Sequence, residues 1–303
     1  MLREVVKKSL LVLGLVFVTV LLIKSWGEIR TAEINWMLFS SSVFIAVIGN
    51  YLVSRLFHVL MAGRSIALSQ NLATKMYFMG QVSKYIPGKV WGIAHQMSYV
   101  GHKDKLLGVF VANIELMLQL MIIIFVLGLS LAVAELSLIL SFGILVFGVV
   151  AAWLVLKFDL LLVISRIKIL SEKLAVNSLA SDSKVGFFVI AKYFSLIAIF
   201  YVISNSVMLI SIFDFGVEEA LSYVAYLSLA WVAGVLIFVV PAGIGVREVV
   251  FVWLAGYLGA GVSLEVLAAI ALFSRLWQVI QDLAGFGVCM LVSEKKVESV
   301  ELR

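Results

Sequence analysis

Six charged side chains sit where charge is costly and therefore calls for a role. Lys84 and Lys89 flank Pro87-Gly88 in Lys84-Tyr85-Ile86-Pro87-Gly88-Lys89-Val90-Trp91-Gly92. Arg247 and Glu248 close the passage Pro241-Ala242-Gly243-Ile244-Gly245-Val246-Arg247-Glu248. Glu115 and Arg275 lie inside long apolar runs, and ionisable groups inside spans need partners or a function. At about 1.5 Å per residue, both arrive near the middle of a bilayer. Gln119 follows Glu115 by one turn, and Gln278 and Asp282 continue a polar stripe from Arg275. The cations Lys84, Lys89, Arg247 and Arg275 suit an anionic head group, most simply a phosphate. Half-helix N-termini after Pro87 and Pro241 would add backbone donors and positive dipole ends. In this reading Glu115 pairs with Arg275 in the empty state or takes up a proton. The competing reading is structural: Glu115, Arg275 and Asp282 neutralise one another.

The elements that must position these groups are two helix breaks. Pro87 and Pro241 are the only prolines in the chain. Each is followed by glycine within two residues and by a base within six. Proline removes a backbone donor and glycine permits sharp turns, so each passage interrupts a helix. Broken backbone at membrane depth is tolerated only where protein or a wet cavity satisfies it. The two breaks, Pro87-Gly88 and Pro241 with Gly243 and Gly245, are expected to line one site. They enter from opposite sides and are candidates for an inverted repeat, the arrangement that marks a transporter-type site.

Composition sets the class. Of 303 residues, 63% are hydrophobic and 14% charged, and mean hydropathy is +1.15. The expectation is an all-α polytopic membrane protein with about six full spans and two broken, re-entrant-type helix pairs. It is a single integral membrane domain over 1–303. The first half is 1–157, with a broken region at 61–105. A cytoplasmic loop covers 157–185. The second half is 186–293, with a broken region at 240–260, and 294–303 form a cytoplasmic tail. Full spans are expected near Ser9–Ile23 (an uncleaved first span), Trp36–Leu60, Leu106–Val133, Leu136–Leu156, Gly186–Ile212 and Leu264–Val292. Leu221–Val240 is apolar enough to span alone, whereas Val249–Ala260 is too short. Lys and Arg concentrate in the loops of one side, Arg64 among them, which places both termini in the cytoplasm of a cell whose plasma (inner) membrane holds the chain. Arg55 and Lys192 are expected to snorkel to the interface.

Other chemistries are not expected. The net charge of +5 follows from the loop cations and does not point to nucleic acid. One cysteine, Cys289, permits no internal disulfide. His58, His95 and His102 have no metal-ligand spacing, so neither metal nor cofactor is expected. There is no Walker A loop and no recognisable catalytic constellation, so an enzyme is not expected.

Both passages resemble the signature stretches of the lysylphosphatidylglycerol synthase transmembrane region, also called the flippase-like domain family. The resemblance covers nearly the whole chain. It implies movement of lipids between leaflets and carries Lys84, Pro87, Gly88, Lys89, Pro241, Gly243, Gly245, Arg247 and Glu248 over as motif positions. Full-length synthases add a soluble catalytic domain after this region; here the sequence runs to Arg303, and aminoacyl transfer is not expected to carry over. The expected function is a lipid translocator that binds an anionic phospholipid or a polyprenyl-phosphate-linked head group. The alternative is a non-transporting subunit that docks a glycosyltransferase or another cell-envelope enzyme through the 157–185 loop. The sequence does not indicate an oligomeric state.

Overall fold

Long apolar runs become long helices here, and polar caps end them. The computed structural model describes residues 33–64, 66–83, 96, 99–100, 103–134, 136–157, 185–237, 243, 245–258 and 262–291. The described residues form eight α-helices and no strands. In order these are α1 (Trp36–Gly63), α2 (Gln70–Ser83), α3 (Lys103–Ala134), α4 (Leu138–Lys157), α5 (Phe187–Phe213), α6 (Val217–Leu236), α7 (Val246–Leu258) and α8 (Leu264–Leu291). Asn35 caps α1, its side chain accepting from the Leu38 N–H at 3.1 Å. Ser263 caps α8, accepting from the Val266 N–H at 3.4 Å, with Glu265 in the first turn. α5 ends at Asp214, which takes a left-handed φ of 54°.

Six helices among the described residues are long and apolar enough to cross a membrane: α1, α3, α4, α5, α6 and α8. The protein is a polytopic all-α membrane protein. α2 and α7 have only 14 and 13 residues. At about 1.5 Å per residue they reach about 20 Å, short of the roughly 30 Å hydrocarbon core. The expected first span Ser9–Ile23, the 157–185 loop apart from its end residues, and the tail lie outside the described residues.

The broken region 61–105 holds a short helix, α2, whose bounds its polar members Gln70, Asn71, Thr74, Lys75 and Gln81 hid from a search for apolar runs. Two expectations need correction. The apolar run expected to extend to Val240 stops being helical at Leu236, five residues before Pro241. Arg64, counted among the loop cations, is buried at the end of α1 with 1% exposure.

Packing knits the two halves together. α1 lies along α5, α3 packs on both α4 and α6, and α8 packs on α7, α1 and α2. The short α2 of the first half therefore rests on α8 of the second, and α6 of the second rests on α3 of the first. One apolar cluster joins α1 to α5 through residues such as Phe57, Met61, Met76 and Phe194. A second joins α5 to α8 around Met208, Tyr223, Phe251 and Ile270. α4 is mostly unburied, with Leu138, Ile139, Phe142 and Phe147 exposed, as suits a helix facing lipid. The outward-facing Trp253 and Tyr257 of α7 stack with their ring planes 11° apart.

Arg64 and Glu115 form a buried ion pair that fastens α1 to α3. Arg64 Nη2 donates to Glu115 Oε1, and Nε donates to Oε2 at 3.4 Å. Breaking a buried ion pair by removing one member costs about 3–5 kcal/mol. Arg64→Met alone should therefore accumulate poorly and melt lower in detergent. Arg64→Met with Glu115→Leu should recover most of that loss. A double variant that melts below both singles would contradict the pairing.

Candidate functional site

The contacts at the second break account for its residue types. Gly243 and Gly245 take φ values of 65° and 85°, a region that penalises any residue with a Cβ. A Cβ on Gly243 would also come within 2.9 Å of the Gly234 carbonyl oxygen on α6. Gly245 then starts α7. Its carbonyl accepts from the Val249 N–H at 3.0 Å, and its N–H donates to Glu248 Oε2 at 2.7 Å. A glutamate three residues into a helix that reaches back to the cap N–H is one half of a capping box. The other oxygen of Glu248 accepts from Arg275 Nε. Arg275 Nη2 donates in turn to the Gly243 carbonyl at 3.0 Å. Arg275 on α8 thus holds the break from both sides.

Arg247 points elsewhere. It crosses α6 at Gly234, where a Cβ would stand 2.3 Å from Arg247 Cγ. Its Nη1 donates to Gln278 Oε1 on α8 at 2.7 Å.

The first break repeats this plan with different chemistry. Gly80 on α2 stands seven residues before Pro87, as Gly234 on α6 stands seven before Pro241. A Cβ on Gly80 would lie 2.8 Å from Gln96 Nε2. Gln96 Oε1 accepts from Asn113 Nδ2 on α3 at 2.7 Å, and Gln96 Nε2 donates to the Met76 carbonyl at 3.1 Å. In each half, a polar side chain from beyond the proline crosses a glycine of the entering helix. An amide of a following long helix then holds it. Lys84, Pro87, Gly88, Lys89 and Pro241 themselves lie outside the described residues.

Between the Gly80 and Gly234 crossings is a cavity of about 750 Å³, well within the range of sites that enclose small molecules and head groups. Every helix except α4 contributes to its wall. Arg247, Arg275 and Asp282 are the described charged residues that line it. Amides from five helices also face it, among them Asn50, Gln81, Asn113, Asn205 and Gln281. The remaining wall is largely apolar, with Phe110, Met117, Phe200 and Trp231.

The expected site is thus brought together in part. Arg247, Arg275, Gln278 and Asp282 share the cavity, so the stripe on α8 faces it as anticipated. Glu248 stands just behind the wall. Glu115 and Gln119 do not join them. Glu115 pairs with Arg64 and not with Arg275, and Gln119 donates to the Ala152 carbonyl of α4 at 2.8 Å. Their shared face of α3 turns away from the cavity. Of the expected cations, Arg247 and Arg275 line the cavity beside one described carboxylate, Asp282, with Glu248 behind Arg275, while Lys84 and Lys89 lie outside the described residues. Among the described residues no cluster of ligating side chains could hold a metal.

Sequence reasoning passed over Gly80, Gly234 and the amides. The equal spacing of the two glycines from the two prolines was available as a signal. So were asparagines recurring within apolar helices, where an unpartnered amide is costly.

Fold and site define a polytopic membrane protein with one amphipathic cavity between two broken helices. Residues 6–285 match the family model described as Lysylphosphatidylglycerol synthase TM region, and the chain belongs to that family. No curated protein and no solved structure matches it.

The glycine crossing gives a direct stability test. Gly234→Ala forces Arg247 or α6 to shift and should destabilise by about 1–3 kcal/mol. Gly143 on α4 has open space where a Cβ would go, so Gly143→Ala should be neutral or stabilising by up to about 1 kcal/mol. Thermal unfolding in detergent compares them; equal melting temperatures would contradict a tight crossing at Gly234.

Proposed function

We propose that this chain moves lipid between leaflets and that the cavity receives an anionic phospholipid or polyprenyl-phosphate-linked head group. The observation that carries this reading is the cavity itself: about 750 Å³, walled by candidate spans and lined by Arg247 and Arg275. Acyl or polyprenyl chains would stay in the bilayer while the polar group crosses through the cavity. Arginine suits the task because its planar fork meets phosphate oxygens through two parallel N–H donors. Arg247 donates to the neutral Gln278 and takes no part in the Glu248 clamp. Arg275 already serves the break through Glu248 and Gly243. The family supports a lipid-related role, and the distribution of Lys and Arg supports an inner-membrane orientation with cytoplasmic termini. Docking of an envelope-biosynthesis enzyme at 157–185 would leave the cavity without a task, which favours transport over that alternative.

The two arginines should separate in experiment. Arg275→Ala leaves the Glu248 carboxylate, only 3% exposed, without its cation, at a cost of about 3–5 kcal/mol. That variant should accumulate poorly whatever the function. Arg247→Gln spares the Glu248 clamp and should accumulate normally. Native mass spectrometry of purified protein should find co-purified anionic lipid on the wild type and at least about tenfold less on Arg247→Gln. Undiminished lipid on Arg247→Gln would contradict the proposal.

A further inference from the structure

The hydrogen-bonding atoms that the protein leaves open in the cavity are of both kinds. Asn205 is 5% exposed and lines the cavity. Its Nδ2 donates to the Tyr201 carbonyl at 2.8 Å, which leaves Oδ1 as the remaining acceptor. Among the described residues nothing donates to that oxygen. Asn113 repeats the pattern. Its Nδ2 donates to Gln96 Oε1 and to the Val109 carbonyl, at 2.7 and 2.8 Å. Its Oδ1 likewise has no donor among the described residues. Two donors are open as well. Gln278 uses Oε1 to accept from Arg247, and Gln281 uses Oε1 to accept from Asn50 at 3.4 Å. Each has its Nε2 without an acceptor among the described residues.

We propose that the head group taken by this cavity is rich in hydroxyl groups, as in a glycosyl- or cyclitol-phosphate lipid. The inference rests on the lipid-binding reading above and specifies its ligand. Phosphodiester oxygens only accept, so a bare phosphate answers the arginines and the glutamine donors but leaves Asn113 Oδ1 and Asn205 Oδ1 unmatched. An ammonium group only donates, so it answers the two asparagines and leaves the glutamines. A hydroxyl does both, so a ring that carries several offers partners to amides of either kind. A site built to hydrogen-bond hydroxyls rejects a ligand that lacks them, because its polar atoms are then left unpaired.

The test uses the full chain in detergent with phosphatidylinositol, phosphatidic acid and phosphatidylethanolamine of matched acyl chains, read by native mass spectrometry. Wild type should retain phosphatidylinositol over phosphatidic acid by about tenfold or more. In Asn205→Leu, and separately in Asn113→Leu, that ratio should fall toward one. If a variant does not fold, the wild-type ratio alone decides. Equal retention of phosphatidylinositol and phosphatidic acid would overturn the hydroxyl inference and leave the lipid-binding reading standing. Preference for phosphatidylethanolamine would overturn it in favour of an ammonium ligand. Retention of none of the three would remove the lipid-binding reading and this inference with it.

Discussion

Interrupting a helix among apolar spans exposes backbone groups that lipid cannot satisfy. The molecule is arranged around meeting that demand. At the second break, Glu248 takes the Gly245 N–H, and Arg275 holds both Glu248 and the Gly243 carbonyl. At its described end, Gly243 and Gly245, the charges of Glu248 and Arg275 are consumed in holding the backbone, which is why Arg275 is a poor guide to ligand binding.

The same constraint explains how a cavity can exist among apolar helices. Short helices such as α2 and α7 cannot cross, so they leave space that long helices would have filled. Glycines at the crossings let polar side chains pass close to α2 and α6 and be held by α3 and α8. The first half does this with Gln96 and Asn113, and the second with Arg247 and Gln278. One architecture thus presents a neutral wall and a cationic wall to the same space. That asymmetry suits a ligand with a charged part and an uncharged polar part.

Class and architecture were legible in the sequence because bilayer thickness translates directly into run length. The second proline passage was legible as a break for a similar reason: proline and glycine act locally, and α6 ends at Leu236 before α7 starts at Val246. Partnerships were less legible. Glu115 looked like a mate for Arg275 because both lie deep in spans, yet depth does not fix azimuth, and Glu115 turns to Arg64 instead. Arg64 looked like an ordinary loop cation because it follows the apolar run of α1 directly. The bounds of α2 escaped notice because a helix that lines a polar cavity lacks the apolar run that marks a span. The amides escaped for the opposite reason: single asparagines and glutamines scarcely alter the hydropathy of the helices that carry them.

The central claim is that the space between the breaks is a water-reachable head-group site. The most direct measurement is thiol accessibility at Ser204, a cavity-lining residue with 2% exposure. Ser204→Cys would be made in a Cys289→Ser background, which removes the only native thiol. A small water-soluble methanethiosulfonate reagent applied to both faces of reconstituted vesicles should modify the new cysteine, and added anionic lipid should slow the reaction. A cysteine that stays unmodified while an exposed control cysteine reacts fully would mean that the cavity is dry, and the account would fail.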